Sequence, residues 1–253
     1  DTSDGSFSPF GERWEGQTTC AEIDLPVAGH LLLRLRPGEA PRAQSPRRTW
    51  SEAARLAETV PITLDEPNVL LLDRGEWRVD GNDWQRADEI LRIDNHARRA
   101  CGMPERHGNI AQPWCDPPAP PSHRVAVAFA VLAEVRVAAS RLALERADVA
   151  EIRLDENAVA QQPDGWWVDR DIETVTLPDL EPGEHRLEIS WPLGDATGLE
   201  ACYLLGDFGV HVAGTRARLT APVRELTFGD WTQQGLAFYG GNVTYHCEAA
   251  RPD

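Results

Sequence analysis

The chain contains no lysine and one methionine, Met103; its 25 basic residues are all arginine, set against 41 acidic ones for a formal net charge of −16. With a pI near 4.8 it lacks the basic face that phosphate binding requires, which argues against nucleic acid and anionic membrane surfaces as partners. Cysteine is scarce. Cys20, Cys101, Cys115, Cys202 and Cys247 are odd in number and widely spaced, so the disulfide framework of small secreted domains is excluded, although one bridge fits the count. No apolar run approaches the length of a membrane span, and no signal peptide is present. The first residue is Asp1 rather than Met, and a trimmed start would have erased any targeting segment, so the compartment stays open. Missing too are a Gly-x-Ser-x-Gly elbow, a Walker loop and a dinucleotide fingerprint. Acyl transfer and nucleotide chemistry therefore have no support.

What remains is a chain of 253 residues with 42% hydrophobic and 26% charged content, enough to bury a real core as one large β domain or as one domain plus part of another. Residues 1–36 open polar and end in two expected strands, 19–25 and 30–36, read as the tail of an upstream β domain or as a packed arm. Residues 37–59 form an expected Pro/Arg/Ser-rich linker and a short helix over 50–58 with Ser51 as N-cap. The third segment, 60–253, is the expected β-sandwich domain. Strands are predicted at 60–64, 69–73 and 76–79, the last turning through Asp80-Gly81-Asn82, a strong hairpin signal. Ile90, Leu91, Ile93 and Ala97 share one stripe and predict a helix over 87–100. The proline-rich stretch 103–122 must be irregular. Beyond it, strands are predicted at 124–137, 141–146, 151–154, 172–177 and 185–191, the last two flanking Glu181-Pro182-Gly183. That spacing predicts a mainly β fold: an antiparallel sandwich of jelly-roll type with one or two short helices.

Two stretches carry the densest chemistry. In 201–212 and 226–245, apolar runs alternate with Gly and Asp, and Trp231, Phe238, Tyr239 and Tyr245 fall beside Gln and Asn. Such a composition suits a sugar surface, where a ring covers the apolar face of a pyranose and amides hold its hydroxyls, and it equally suits a sandwich core. Trp166-Trp167 before Asp169 is the second candidate. Neighbours on a strand face opposite sides, so one indole is expected inside and the other outside. Gly240-Gly241 predicts positive φ or a bulge. Asn242-Val243-Thr244 fits the glycosylation sequon, although a strand context argues against its use.

Residues 152–157, 165–169, 172, 177 and 180–189 resemble the sugar-binding β-sandwich of family 2 glycoside hydrolases and the galactose-binding-like fold. More specifically, Glu66–Asp73, Gln112-Pro-Trp114, Trp166–Asp169, Glu200 with Tyr203–Gly209, Gln234-Gly235 and Phe238–Asn242 resemble the region downstream of the catalytic domain in large bacterial glycoside hydrolases similar to the family 106 α-L-rhamnosidases. The resemblance covers roughly residues 60–248. It departs at Asp155-Glu156-Asn157, where an Asn-Gly turn is usual, and at Gly183-Glu184-His185, where Gly-x-Asn is usual. It implies a galactose-binding-like jelly roll that lies outside the parent's catalytic domain, whose carboxylates have no counterparts here.

The expectation is thus a non-catalytic accessory sandwich that binds carbohydrate or buttresses the parent enzyme's catalytic domain. Its candidate sugar contacts are Trp166, Trp167, Asp169, Trp231, Tyr239 and Asn242. Two alternatives stay open: a purely structural interdomain module, and a hydrolase in its own right using a carboxylate pair drawn from Glu145, Glu151, Asp169, Asp171, Asp207 and Asp230. No motif demands a cofactor. A structural calcium in a sandwich loop is compatible with the many carboxylates. Cys101, His107 and Cys115, with His96 and His123 near in sequence, allow a zinc site to be imagined, but their spacing matches no common finger.

Overall fold

The computed structural model describes residues 55–106, 120–159, 162–194 and 197–249, with the backbone of two strands nearer the N-terminus. The chain divides into two units. In the first, Asp1–Arg55 with Ala250–Asp253, β1 (Glu12–Glu15) pairs antiparallel with β2 (Thr18–Ala21). The strand expected at 19–25 overlaps β2, and that expected at 30–36 lies outside the described residues. The second unit, Leu56–Ala249, holds the other elements. Of the helix expected over 50–58, the four described residues are not helical and lead into β3 (Thr59–Leu64).

Two sheets form a sandwich. In the larger, β7 (His123–Ala133) is the central strand and pairs along its whole length with β13 (Gly183–Leu193), which carries β9 (Glu151–Leu154) and then β10 (Asn157–Ala158). The first half of β7 pairs antiparallel with β5 (Arg74–Val79), itself paired with β6 (Gln85–Glu89). At its far end β7 runs parallel to β16 (Arg216–Thr220), beyond which lies β15 (Gly209–Ala213). The second sheet is antiparallel throughout, in the order β11 (Gly165–Trp167), β12 (Asp169–Thr176), β8 (Arg141–Glu145), β14 (Cys202–Gly206) and β4 (Asn68–Leu72). A small third sheet places β17 (Glu225–Thr227) and β18 (Val243–Tyr245) on successive halves of β3.

Alternation explains the layers. Val125, Val127, Phe129 and Val131 of β7 and Leu187, Ile189, Trp191 and Leu193 of β13 face one core, and Leu70, Leu72, Leu142, Leu144 and Leu204 meet them from the other sheet. Each such side chain contributes roughly 1.5–3 kcal/mol by leaving water. The opposite face of β7 carries small residues, Ala126 and Ala128, where β5 passes closest. A Cβ on Gly75 would stand 2.7 Å from the Ala128 carbonyl oxygen, so only glycine lets β5 approach there, next to the register shift between Gly75 and Trp77.

The predicted helix is α1 (Ile90–Ala100), three residues shorter than expected because β6 runs on to Glu89, whose carboxylate caps the helix by accepting from Leu91 N and Arg92 N. Its buried stripe is Ile90, Ile93, Asp94, Ala97 and Arg98; Leu91, expected inside, is half exposed. Among the described residues α1 is the one α-helix, and no helix is long and apolar enough to cross a membrane. The hairpin at Asp80-Gly81 forms as its sequence predicts: both residues have positive φ, +50° and +73°, and Asn82 N donates to Val79 O at 3.0 Å.

Candidate functional site

The six expected contacts fall into two groups. Trp166, Trp167 and Asp169 sit on the edge hairpin β11–β12. At its tip Trp167 pairs directly with Asp169, leaving Val168 between them at φ +62°. A β-branched residue with positive φ is a true backbone outlier, strained by roughly 1–3 kcal/mol. Val168 is also 75% exposed, and Trp166 is 56% exposed. The tip therefore presents apolar surface to solvent on a distorted turn.

Trp167 folds the other way. It covers the outer face of the five-stranded sheet, where Val69, Ala143 and Leu205 form a second buried patch, together with Ile172, Tyr203 and Phe238. The Trp167 and Tyr203 rings lie 4.7 Å apart at a 51° tilt, a favourable aromatic geometry. Of the two adjacent indoles, one is sheltered and the other open, as alternation requires. The sheltered one lies on the outer face rather than in the main core.

Beside this aromatic group stands a cluster of carboxylates. Ile172 is the cross-strand partner of Glu145. The Glu145 carboxyl is held above the usual range, first by desolvation and then by the negative charges of Glu200 and Asp171, with Asp169 adding a smaller push and Arg106 opposing them. Arg106 reaches Glu200 at 3.2 Å. Desolvation also raises the Tyr203 hydroxyl, helped by Cys202, Glu200 and Glu145. Asp169 accepts from the Asp171 backbone N–H at 3.0 Å, which shapes the start of β12. The face combines aromatic rings with several hydrogen-bond acceptors, the components that hold a polyhydroxylated ring.

Trp231, Tyr239 and Asn242 belong to a different structure. Ile62, Leu226, Leu236 and Tyr239 make a small core under the third sheet, with Trp231 packed edge-on to Tyr239 at 6.5 Å. The Glu66 carboxylate binds this segment together: it accepts from the Tyr239 hydroxyl at 2.8 Å, from Asn242 N at 2.8 Å and from Asn242 Nδ2 at 3.3 Å. Its pKa is lowered, chiefly by the Asn242 backbone N–H, while burial pushes the Tyr239 hydroxyl up to about 12. Tyr239 is 6% exposed, so its ring has no face to offer a ligand. Asn242 is exposed, but its amide already faces Glu66. Neither Gly240 nor Gly241 has the positive φ that was one of the two roles expected of them; a Cβ on Gly241 would run into the Glu66 carboxylate and stand 2.7 Å from the Tyr239 hydroxyl, so close approach is its reason.

The dense run 226–245 thus spends most of its polar residues internally. Gln234 accepts from Thr227 N at 2.8 Å and donates to Asp230 O at 3.0 Å, and Asp230 caps the turn Trp231–Gln233 through Thr232 N and Oγ1. Asn68, fully buried, donates to Phe208 O at 2.7 Å and to Gly235 O at 2.9 Å, fastening this segment to the sandwich. Among the alternative carboxylates, Asp207 is held by both nitrogens of Arg224 at 2.9 and 2.5 Å. Glu151 lies on the outer face of the larger sheet, paired with Arg124 at 3.0 Å.

That second outer face was not singled out from the sequence. Arg78 and Arg186 both lie over the Trp84 ring, 4.4 and 4.5 Å from its centroid, and they pair with Glu188 and Glu76 at 2.7 and 2.8 Å. A cleft of about 430 Å³ opens alongside, walled by Arg78, Arg124, Arg153, Glu151 and Glu188 over an Ala126 floor. Of the imagined zinc ligands, Cys101 and His123 come near one another, His96 packs on Trp77 at 5.9 Å, and His107 and Cys115 lie outside the described residues. Searches against protein-family models, curated proteins and solved structures find no match to the chain.

Proposed function

We propose that the chain is a non-catalytic accessory sandwich of a larger glycoside hydrolase, of the galactose-binding-like jelly-roll kind, and that the outer face around Trp167 and Tyr203 contacts carbohydrate. The observation that carries this reading is the Trp167–Tyr203 ring pair on that face, next to Asp169, Asp171, Glu145 and Glu200, on an edge hairpin whose opposite side bears the exposed Trp166. Rings supply the stacking surface and carboxylates accept from hydroxyls. Trp231, Tyr239 and Asn242, expected as contacts from the sequence, are given the role of fastening the 226–245 segment. The partners that follow are a glycan and the parent's catalytic domain.

Calorimetric titration with rhamnose-, galactose- and uronate-containing oligosaccharides tests the assignment. Trp167→Ala and Tyr203→Ala should each weaken binding by about 1–3 kcal/mol at a stacking contact, whereas Trp231→Ala should leave affinity unchanged if the protein stays folded. Equal affinity in all four proteins would remove the site.

The strained, apolar tip at Val168 favours a second reading, in which the hairpin packs against a neighbouring domain and binds no sugar. Loss of association with the catalytic domain in Val168→Gly, without any glycan response in the native chain, would identify that role. The raised Glu145 carboxyl is the feature on which a hydrolase reading would stand. Turnover of aryl glycosides, abolished in Glu145→Gln, would support hydrolysis, and no turnover across a broad panel would end that reading.

A further inference from the structure

Three chain segments converge on a set of metal-ligand atoms. Asp80 lies in the β5–β6 turn, Cys101 is the C-cap of α1, and His123 is the first residue of β7. A carboxylate oxygen of Asp80, Sγ of Cys101 and a ring nitrogen of His123 all lie within 4.8 Å of one another, the one such group among the described residues. We propose that Asp80, Cys101 and His123 bind a borderline-soft divalent cation of the zinc type.

The chemistry of the donor set selects the ion. One sulfur, one imidazole nitrogen and one carboxylate oxygen match the ligands of zinc and of its substitute cobalt, and mismatch calcium or magnesium, which take oxygen alone. The spacing agrees as well. Bonds of about 2.0–2.3 Å put neighbouring ligands of a tetrahedral ion roughly 3.3–3.8 Å apart, within the span seen here. His123 Nδ1 and Asp80 Oδ2 lie 2.7 Å apart as a hydrogen-bonded pair, so two of the three donor atoms already face each other.

Each ligand stands on a fixed backbone. The type I′ turn holds Asp80, whose Oδ1 accepts from Arg124 N at 2.9 Å, while its own N–H donates to Arg124 O at 2.9 Å. Such an outer hydrogen bond orients the second carboxylate oxygen. Cys101 N donates to Ala97 O at 3.1 Å at the helix end. Both Cys101 and His123 are half-buried, so an ion has a route in. Three protein ligands leave a fourth position for water or a ligand group, and Asp80 is also a wall residue of the 430 Å³ cleft. An ion here would staple the turn, the helix end and the central strand.

The test uses the whole chain, freed of metal with a chelator and titrated with cobalt(II) alone. One equivalent should develop thiolate-to-cobalt charge-transfer absorption with tetrahedral ligand-field bands, displaced by zinc. Cys101→Ser should abolish the charge-transfer band, and Asp80→Ala and His123→Ala should each weaken binding at least about tenfold. Cys202→Ser and Cys247→Ser should behave as the native chain. No charge-transfer band, or one that survives Cys101→Ser, would overturn the proposal. Should a variant fail to fold, zinc-edge X-ray absorption of the native chain with one equivalent decides: a shell with one sulfur supports the site, and a sulfur-free shell refutes it.

Discussion

Arg98→Met offers the sharpest test of how the helix is held to the sandwich. Arg98 and Asp94 form an ion pair, Nε to Oδ2 at 3.0 Å, with side chains only 4% and 2% exposed. Arg98 also donates to the carbonyls of Thr197 and Gly194, and Asp94 Oδ1 accepts from Leu199 N at 3.3 Å. The pair therefore fixes the segment between β13 and β14 to α1. Removing the guanidinium leaves a buried carboxylate whose nearest remaining cation is Arg106, 3.9 Å away and at the surface. Breaking a buried pair from one side costs about 3–5 kcal/mol. For a unit of this size each kcal/mol moves Tm by roughly 2–4 °C, so a fall of about 6–20 °C is expected. An Asp94→Leu/Arg98→Met double variant should recover part of this loss but not all, because the buried Thr197 carbonyl loses its Arg98 donor, at about 1–3 kcal/mol. Urea unfolding followed by circular dichroism, with differential scanning calorimetry, reads both. Arg98→Met within about 1 kcal/mol of the native chain would refute the reasoning.

Three further outcomes follow from particular residues. Glu156 sits at φ +68° in the turn joining β9 to β10, and Glu156→Asn should stabilise the chain by about 0.5–1 kcal/mol in urea, since asparagine tolerates the left-handed region. Burial pulls the His185 pKa down, but the Glu181 carbonyl and Asp155 outweigh it, so the net shift is upward; burial pushes Asp155 up, yet His185 and the Arg186 N–H bring it down. His185 thus contributes fully below its ordinary value of 6.5 and loses that contribution as pH rises through its raised folded value. Asp155 contributes above 3.8 and loses its share as pH falls through its lowered one. His185→Gln should flatten the alkaline side of that profile, measured as Tm against pH. Tyr239→Phe should lower the Tm by removing the hydroxyl that donates to the Asn242 carbonyl and Glu66, and should remove a stability loss that in the native chain sets in between pH 10 and about 12.

Much of the fold was legible because period-two alternation survives wherever one strand face is buried. Glu151–Leu154 forms as predicted, and β13 extends its prediction by two residues at each end, since a long ladder with β7 holds its termini. The helix start was misplaced because Ala87 and Glu89 are good helix formers, yet pairing with Arg74 and Gly75 draws Asp88 and Glu89 into β6. The buried Asp94–Arg98 pair was invisible for a related reason: charges at i and i+4 usually mark the solvent face, and only tertiary packing turned this one inward. In the candidate site, adjacency of Trp166 and Trp167 correctly implied opposite faces. Trp231, Tyr239 and Asn242 look like ligand contacts in sequence because the same aromatic and amide groups that bind a sugar also satisfy a loop, and Glu66, the partner of Tyr239 and Asn242, lies 173 residues before Tyr239. The face around Trp84 escaped notice because its arginines come from β5 and β13, over 100 residues apart.

The most direct test of the account is the indole N–H spectrum of the ¹⁵N-labelled chain during titration with the same oligosaccharides. Nine tryptophans give nine separate reporters. Saturable shifts largest at Trp167, with Trp191 in the core and Trp231 under the third sheet unmoved, are the predicted result. Shifts confined to Trp84 or Trp231, or none at any sugar concentration, would contradict a carbohydrate-contacting face at the β11–β12 hairpin.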